Sequence, residues 1–170
     1  LGSLELSRKA VSEFDPQKAS QAVQSILEQI DDIAEIAFLG SSKFTLHPTL
    51  VDLSELAKKV IDQYRLSAVE KGLKLEMEVE DHLPPTILVD RLRVRQVLDN
   101  LVSNAIKYTD TGHVSLKIKT LEIVDDRVSV RFAVVDSGPG LRPEDLPIIF
   151  KEYGRLENDN HRDQEGTGLG

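Results

Sequence analysis

The chain has 170 residues, a formal net charge of −8 at pH 7, a hydrophobic content of 40% and no cysteine. This length suits one or two domains with a real core. The acidic charge argues against a general nucleic-acid binder, which needs a basic face. Without cysteine, disulfides, thiolate metal sites and cysteine nucleophiles are excluded within this sequence. No apolar run reaches the length of a membrane span, so we expect no membrane contact by this chain.

Residues 1–46 predict a helical hairpin. A short helix over residues 1–14 is followed by Asp15-Pro16, where a second helix begins because proline fits the first helical position. Through residues 17–39, apolar side chains recur every three or four positions: Val23, Ile26, Ile30, Ile33 and Ala37. Further apolar residues widen this face beyond what one neighbouring helix covers. The pattern therefore favours a dimeric four-helix bundle formed with a second copy.

A second unit follows an extended linker over Phe44–Leu50, and we place the domain boundary between residues 46 and 47, giving domains 1–46 and 47–170. Asp52 lies three residues before Glu55, a capping pattern that starts a helix, and Gly72 ends this helix. Its inner face is predicted to hold Leu53, Leu56, Val60, Tyr64 and Ala68.

The segments after this helix predict a mixed sheet. Residues 73–80 alternate strictly between apolar and polar side chains, as in a half-buried strand. Residues 114–118 and 128–134 alternate in the same way around Asp125-Asp126, which predicts an antiparallel hairpin. The predicted fold class is α+β: a helical hairpin followed by an α/β sandwich in which helices cover one face of a mixed sheet.

A helix that Asp90 can cap is predicted to carry two stripes along residues 94–108. The apolar residues recur at helical spacing and predict one buried stripe: Val94, Val97, Leu98, Leu101, Val102, Ala105 and Ile106. Asn100, Asn104 and Lys107 share a neighbouring stripe. Asparagine has poor helix propensity, so two of them beside a cation admit two interpretations. They form either a surface stripe or a site for a hard cation and a phosphate.

The sequence Asp136-Ser137-Gly138-Pro139-Gly140 follows directly on the last predicted strand. An aspartate at this position can accept a hydrogen bond from an exocyclic amine, which adenine offers. Gly138 and Gly140 let the backbone approach a flat ring without a Cβ in the way. Taken alone, such a motif is a turn more often than a binding site.

Three features end the chain. Phe150 and Tyr153 lie three residues apart, a spacing typical of core packing. Residues 154–165 are polar and lack periodicity, as in a disordered segment or a functional lid. Gly166-Thr167-Gly168-Leu169-Gly170 exposes consecutive backbone N–H groups that can cradle an anion.

In this order and spacing, the motifs Asn-x-x-x-Asn-x-x-Lys, Asp-x-Gly-x-Gly, the Phe/Tyr pair and Gly-Thr-Gly-Leu-Gly resemble the ATP-binding domain of sensor histidine kinases. The resemblance covers residues 51–170 and extends to the wider ATPase group of gyrase, MutL and the mitochondrial dehydrogenase kinases. The gyrase-like ATPases and the mitochondrial kinases carry a Glu four residues before the metal-binding Asn, and in the ATPases it is the general base for water. Asn100 occupies that position here and cannot take a proton at neutral pH. The resemblance is therefore to the histidine kinases.

The resemblance implies that the cofactors are ATP and Mg²⁺. Asn100 and Asn104 would hold the metal, and Lys107 would contact phosphate and act as the catalytic residue. Tyr108 would line the nucleotide pocket, and Asp136 would bind the adenine amine. The remaining predicted nucleotide-binding residues would flank the ring or surround the phosphates: Gly138, Gly140, Phe150, Gly166, Thr167, Gly168, Leu169 and Gly170.

Residues 1–6 resemble the stretch that follows the phosphoacceptor box in the dimerisation hairpin of these kinases. In the family that box begins with the phosphorylated His, usually followed by an acidic residue, Arg and Thr-Pro. None of the four histidines of this chain lies in such a context. We therefore expect the phosphoacceptor upstream of Leu1. Because the family continues past the second glycine box, we also expect further sequence after Gly170.

The resemblance implies a histidine kinase core that moves the γ-phosphoryl of ATP to a histidine and then to an aspartate of a response regulator. The expected partners are a second copy, bound through the hairpin, and a receiver domain, with another histidine kinase as a further candidate. We expect no nucleic-acid partner, and a cytoplasmic location with a parent protein that an inner-membrane anchor would tether. The alternative function is a regulatory kinase-like module that controls another histidine kinase by pairing with it.

Overall fold

The computed structural model describes residues 45–149 and five earlier positions, Asp15, Pro16, Val23, Ile26 and Ile30. Most of the predicted hairpin over residues 1–46 and the motifs from Phe150 to Gly170 lie outside the described residues. Pro16 is helical and Asp15 is not, so the predicted helix start at this proline is confirmed. Val23, Ile26 and Ile30 are also helical.

Residues 45–149 contain five strands and three helices. In chain order they are β1 (Thr49–Val51), α1 (Leu53–Glu70), β2 (Lys74–Val79), β3 (Ile87–Val89), α2 (Arg91–Tyr108), β4 (His113–Val124), β5 (Arg127–Asp136) and α3 (Leu146–Ile149). All but α3 belong to one compact unit, Thr45–Arg142.

Both ends of α1 follow from local sequence. The Oδ1 atom of Asp52 accepts a hydrogen bond from the Glu55 N–H at 2.9 Å, which confirms the predicted cap. At the other end Gly72 adopts φ +70°. Its N–H donates to Val69 O at 2.9 Å, and the Leu73 N–H donates to Ala68 O at 2.8 Å. These two bonds form a Schellman motif, which requires a residue that tolerates the left-handed conformation.

The main sheet has three strands in the order β2-β4-β5. Strand β2 runs parallel to β4, and β5 runs antiparallel to β4, with Val114 opposite Asp136. The predicted mixed sheet and its Asp125-Asp126 hairpin are thereby confirmed. A second sheet pairs β1 with β3 in antiparallel fashion. The predicted linker is therefore wrong at its end, because Thr49 and Leu50 lie in a strand and not in a free extended segment.

The core lies between this sheet and two helices on one of its faces. It is built from α1, α2 and the inward side of β4, and its central residues are Ala57, Val60, Ile61, Leu98, Val102, Ala105, Ile106, Val114, Leu116 and Ile118. Tyr64, which the sequence places on the inner face of α1, packs against this cluster while remaining partly exposed.

The predicted buried stripe of α2 is wrong at two positions. Val97 is 57% exposed and Leu101 is 43% exposed, whereas Leu98 and Val102 are buried. Successive residues of a helix are rotated by about 100° around its axis, so the apolar residues of α2 spread over a wider arc than the face that packs on the core. Val97 and Leu101 consequently lie on the side of α2 that also carries Asn104.

Asp90 joins the start of α2 to the segment before β1. Its Oδ1 atom accepts a hydrogen bond from the Arg93 N–H at 3.2 Å, and its Oδ2 atom accepts one from the His47 N–H at 2.9 Å. These backbone donors, the His47 N–H first, lower the pKa of the Asp90 carboxyl below its ordinary value. The predicted cap is confirmed, and it has a second role in holding residue 47.

We expect Asp90→Asn to flatten the acid limb of the stability profile. A carboxyl whose folded pKa is depressed stabilises the fold above its unfolded pKa of about 3.9 and loses that contribution as the pH falls through the lower folded pKa. Thermal melts between about pH 2 and pH 6 measure the difference. Asp126→Asn, in the exposed β4–β5 turn, is the control. Parallel profiles for the native protein and Asp90→Asn would contradict the assigned role.

Candidate functional site

The polar stripe of α2 forms as predicted. The Nδ2 group of Asn104 donates a hydrogen bond to Asn100 Oδ1 at 2.9 Å, which leaves the Oδ1 atom of Asn104 outside that bond. The Oγ atom of Ser103 donates to the Asn100 backbone oxygen at 3.0 Å. Two amide oxygens therefore lie one helical turn apart on a partly exposed surface. Neutral amide oxygens coordinate a hard cation without cancelling its charge.

Lys107 and Tyr108 continue this surface at the end of α2. The Nζ atom of Lys107 lies 5.5 Å from the centre of the Tyr108 ring, within the range of a cation–π contact. The Tyr108 side chain is 40% exposed. A partly exposed aromatic ring and an ammonium group thus follow the two asparagines along α2.

The end of β5 meets the end of α2 at Gly138. The Oδ1 atom of Asp136 accepts a hydrogen bond from the Gly138 N–H at 2.8 Å. A Cβ at Gly138 would lie 2.8 Å from Tyr108 O and 2.9 Å from Asp136 Oδ1. Gly138 is therefore required by close approach of backbone. At Gly140 a Cβ would meet no atom within 4 Å. The glycine there is favoured by its φ of +69°, which other residues rarely adopt.

Ser137, in the loop after β5, forms hydrogen bonds with the segment between α2 and β4. Its Oγ atom accepts a hydrogen bond from the His113 N–H at 2.9 Å and donates to Thr111 O at 3.1 Å. Gly112 adopts φ +109°, and a Cβ there would run into the Ser137 hydroxyl. Sequence reasoning gave Ser137 no role, and only the tertiary pairing of these two loops reveals it.

Thr109 is a second residue that sequence reasoning missed. It is fully buried, yet its Oγ1 atom has no hydrogen-bond partner among the described residues. That atom would lie 3.3 Å from a Cβ at Gly138, beside Asp136. An unpaired buried hydroxyl costs about 1–3 kcal/mol, and among the described residues Thr120 Oγ1 carries the same cost.

The structure brings together Asn100, Asn104, Lys107, Tyr108, Asp136, Gly138 and Gly140 in one unit. The other predicted ligands lie outside the described residues and stay predictions: Phe150, Gly166, Thr167, Gly168, Leu169 and Gly170. The described part contains no cluster of three histidine, aspartate or glutamate residues that could hold a metal ion. Within the same part, no helix is long and apolar enough to cross a membrane.

Residues 89–170 match the sequence profile of the family described as histidine kinase-, DNA gyrase B- and HSP90-like ATPase. The chain is 35% identical over 147 residues to two-component system protein A of Emericella nidulans, covering 85% of this chain and 21% of that protein. Together with the fold, these matches indicate an ATPase domain of this class.

Two solved structures narrow the class. Full-length ShkA in complex with AMPPNP aligns over 92% of this chain and 32% of its own, with a TM-score of 0.72 and 30% identity. The catalytic domain of histidine kinase ThkA aligns over 72% of this chain and 75% of its own, with a TM-score of 0.54 and 30% identity. The chain belongs to the sensor histidine kinases of two-component systems and contains their ATP-binding catalytic domain. It spans about a fifth or less of the length of the first curated relatives that it matches.

If Gly138 contacts ATP, we expect Gly138→Ala to weaken ATP binding at least fivefold, because the new methyl group collides with Tyr108 O and must displace the end of α2. The measurement is a calorimetric titration with ATP. Gly72→Ala is the matched control, since it strains a φ of +70° but meets no atom within 4 Å. Equal ATP affinities for the two variants would refute the role assigned to Gly138.

Proposed function

We propose that this chain binds Mg²⁺-ATP along α2 and, as part of a histidine kinase, transfers the γ-phosphoryl to a histidine and then to a response-regulator aspartate. The observation that carries the proposal is the approach of Asp136 and Gly138 to the last turn of α2. Asn104 lies about 6 Å back along the helix axis from Tyr108, and Asn100 about 12 Å. A nucleotide whose base meets Asp136 therefore extends its phosphates toward the two asparagines.

The proposed recognition of the base rests on which carboxylate oxygen of Asp136 already accepts a hydrogen bond. Oδ1 accepts from the Gly138 N–H, so Oδ2 is the acceptor directed at an exocyclic amine. The Thr109 hydroxyl supplies a buried donor or acceptor on the same side. Adenine presents both an amine and acceptor nitrogens, whereas guanine presents a carbonyl where the amine would be. We therefore propose adenine specificity.

The proposed binding of the phosphates rests on the charges that the side chains of α2 can offer. The amide oxygens of Asn100 and Asn104 are the residues that would hold Mg²⁺, and Lys107 would meet the phosphate oxygens. When bound, Mg²⁺ neutralises part of the charge that develops on the transferred phosphoryl group. Asn100 cannot remove a proton from water, which supports transfer to a protein side chain over hydrolysis.

A second copy and a response regulator are the proposed partners. Val23, Ile26 and Ile30 are helical and 55–57% exposed in the single chain, as expected of an apolar stripe that another helix covers. The Emericella nidulans relative is named as a two-component system protein, which supports a response regulator as the second partner. The proposed setting of the domain is the cytoplasm, where ATP is available.

Calorimetric titration of this chain with ATP and ADP, each with and without Mg²⁺, tests the proposal. We expect Mg²⁺-dependent ATP binding in the micromolar to millimolar range and much weaker binding of GTP. The absence of binding at millimolar ATP would overturn the proposal and leave the regulatory pairing module as the function to test next.

A further inference from the structure

We propose that Lys71, which lies outside the pocket, is a positioning residue that holds the adenine end of the nucleotide site in place. The inference rests on the proposed function. Lys71 follows the last residue of α1, and its Nζ atom reaches the far end of α2. It donates hydrogen bonds to Lys107 O at 2.8 Å, to Ile106 O at 2.9 Å and to Thr109 O at 3.5 Å.

These carbonyls need an external partner because of the way α2 ends. The last four carbonyl groups of a helix have no donor within the helix. Helix α1 meets this need with its own glycine turn, but α2 ends in Thr109 with φ −105° and ψ 119°, an extended conformation that supplies no such turn. An ammonium group at this end also compensates the negative end of the helix dipole. Lys71 therefore replaces the missing backbone cap of α2.

The residues that Lys71 holds are the wall of the proposed adenine pocket. Between the carbonyls of Lys107 and Thr109 lies Tyr108, whose carbonyl faces Gly138. Thr109 contributes the unpaired buried hydroxyl beside Asp136. A rotation of this last turn would move both groups relative to Asp136. Lys71 thus acts on the nucleotide through the backbone of residues 106–109 without touching it.

Lys71 is itself held firmly. Its own N–H donates to Ser67 O at 3.2 Å, and the next two residues are fixed by the glycine turn of α1. Three residues later, the Lys74 N–H donates to Gly112 O at 3.0 Å, at the start of the parallel pairing of β2 with β4. The ammonium group therefore extends from a junction that backbone hydrogen bonds hold on both sides, as a positioning residue requires.

The test compares affinities for adenosine, ADP and Mg²⁺-ATP by calorimetry. We expect Lys71→Met to lower all three affinities by a similar factor of about ten, since the base-binding end is displaced in each complex. Lys71→Arg, which restores the cation, is expected to stay within about threefold of the native affinity. Lys58→Met, on the exposed side of α1, should bind like the native protein.

A destabilised control separates positioning from general stability. Ile61→Val shortens a buried α1 side chain in the core and should lower the melting temperature with unchanged adenosine affinity. If native protein binds and Lys71→Met binds adenosine equally well, Lys71 has no positioning role while the proposed function stands. The same conclusion follows if Ile61→Val loses as much affinity as Lys71→Met. If native protein binds no nucleotide, both proposals fail.

Discussion

Replacing Asp136 by Asn is expected to weaken ATP binding by two to three orders of magnitude, about 3–4 kcal/mol, the largest effect of any single change at this site. The Gly138 N–H, 2.8 Å from Oδ1, decides how the new amide is oriented. It keeps an oxygen at that position, so the amide nitrogen is directed at the ligand. Two donors, the side-chain amide and the adenine amine, then face each other.

The same orientation predicts a change of specificity. Inosine triphosphate carries a carbonyl oxygen where ATP carries its amine, and the Asn amide can donate to it. We expect Asp136→Asn to bind inosine triphosphate at least as well as ATP, whereas the native protein prefers ATP. Paired titrations with the two nucleotides measure this ratio, and Asp126→Asn in the β4–β5 turn is the control. A ratio unaltered by Asp136→Asn would contradict the contact between Asp136 and the base.

The features that sequence predicts correctly are those whose physical cause is local. The Asp52 cap needs only the N–H three residues later, and the stop at Gly72 needs only a left-handed residue after the helix. The half-buried strand β2 follows from alternation alone. The polar stripe of α2 likewise follows from helical spacing, and the Asn100–Asn104 hydrogen bond is its direct result.

The features that sequence does not predict depend on contacts between distant segments. The hydrogen bonds of Lys71 span 35 to 38 residues, and no local pattern distinguishes this lysine from its neighbours. The strand character of Thr49 depends on pairing with Val89, forty residues later. The exposure of Leu101 depends on how much of α2 the sheet can cover. In each case a segment distant in the sequence determines the hydrogen bonding, strand pairing or burial of the residue.

We propose that the nucleotide site accounts for three exposed apolar residues of α2. Val97, Leu101 and Tyr108 share one side of the helix with Asn104. The three apolar and aromatic residues are each 40–57% exposed. An apolar surface beside amide oxygens and an ammonium group is the composition expected where a flat base and a charged tail bind together. Under this proposal, the exposure of Val97 and Leu101 and the polar stripe of α2 have the same cause.

The second large effect is expected from Asn104→Asp, which should weaken Mg²⁺-dependent ATP binding by about a hundredfold. In the native pair the Asn104 amide donates to Asn100 Oδ1 at 2.9 Å. An aspartate has no hydrogen to donate, so two oxygens would face each other unless the Asn100 amide turned over. Turning over directs a donor group of Asn100 toward the proposed cation. The new negative charge also lies next to the triphosphate, which repels it.

The decisive quantity is the gain in ATP affinity on adding Mg²⁺, measured by calorimetry for the native protein and for Asn104→Asp. We expect a clear gain in the first and almost none in the second, while adenosine affinity stays within about threefold because the base end is untouched. Ser103→Ala, the adjacent position on α2, controls for local changes in the helix. A full Mg²⁺ gain in Asn104→Asp would contradict the amide pair, and a full gain in Asn104→Ala would remove residue 104 from the metal site, because alanine has no ligand oxygen. Loss of adenosine binding in Asn104→Asp would instead show that the change disturbs the whole pocket, which the distance of one helical turn between Asn104 and Tyr108 argues against.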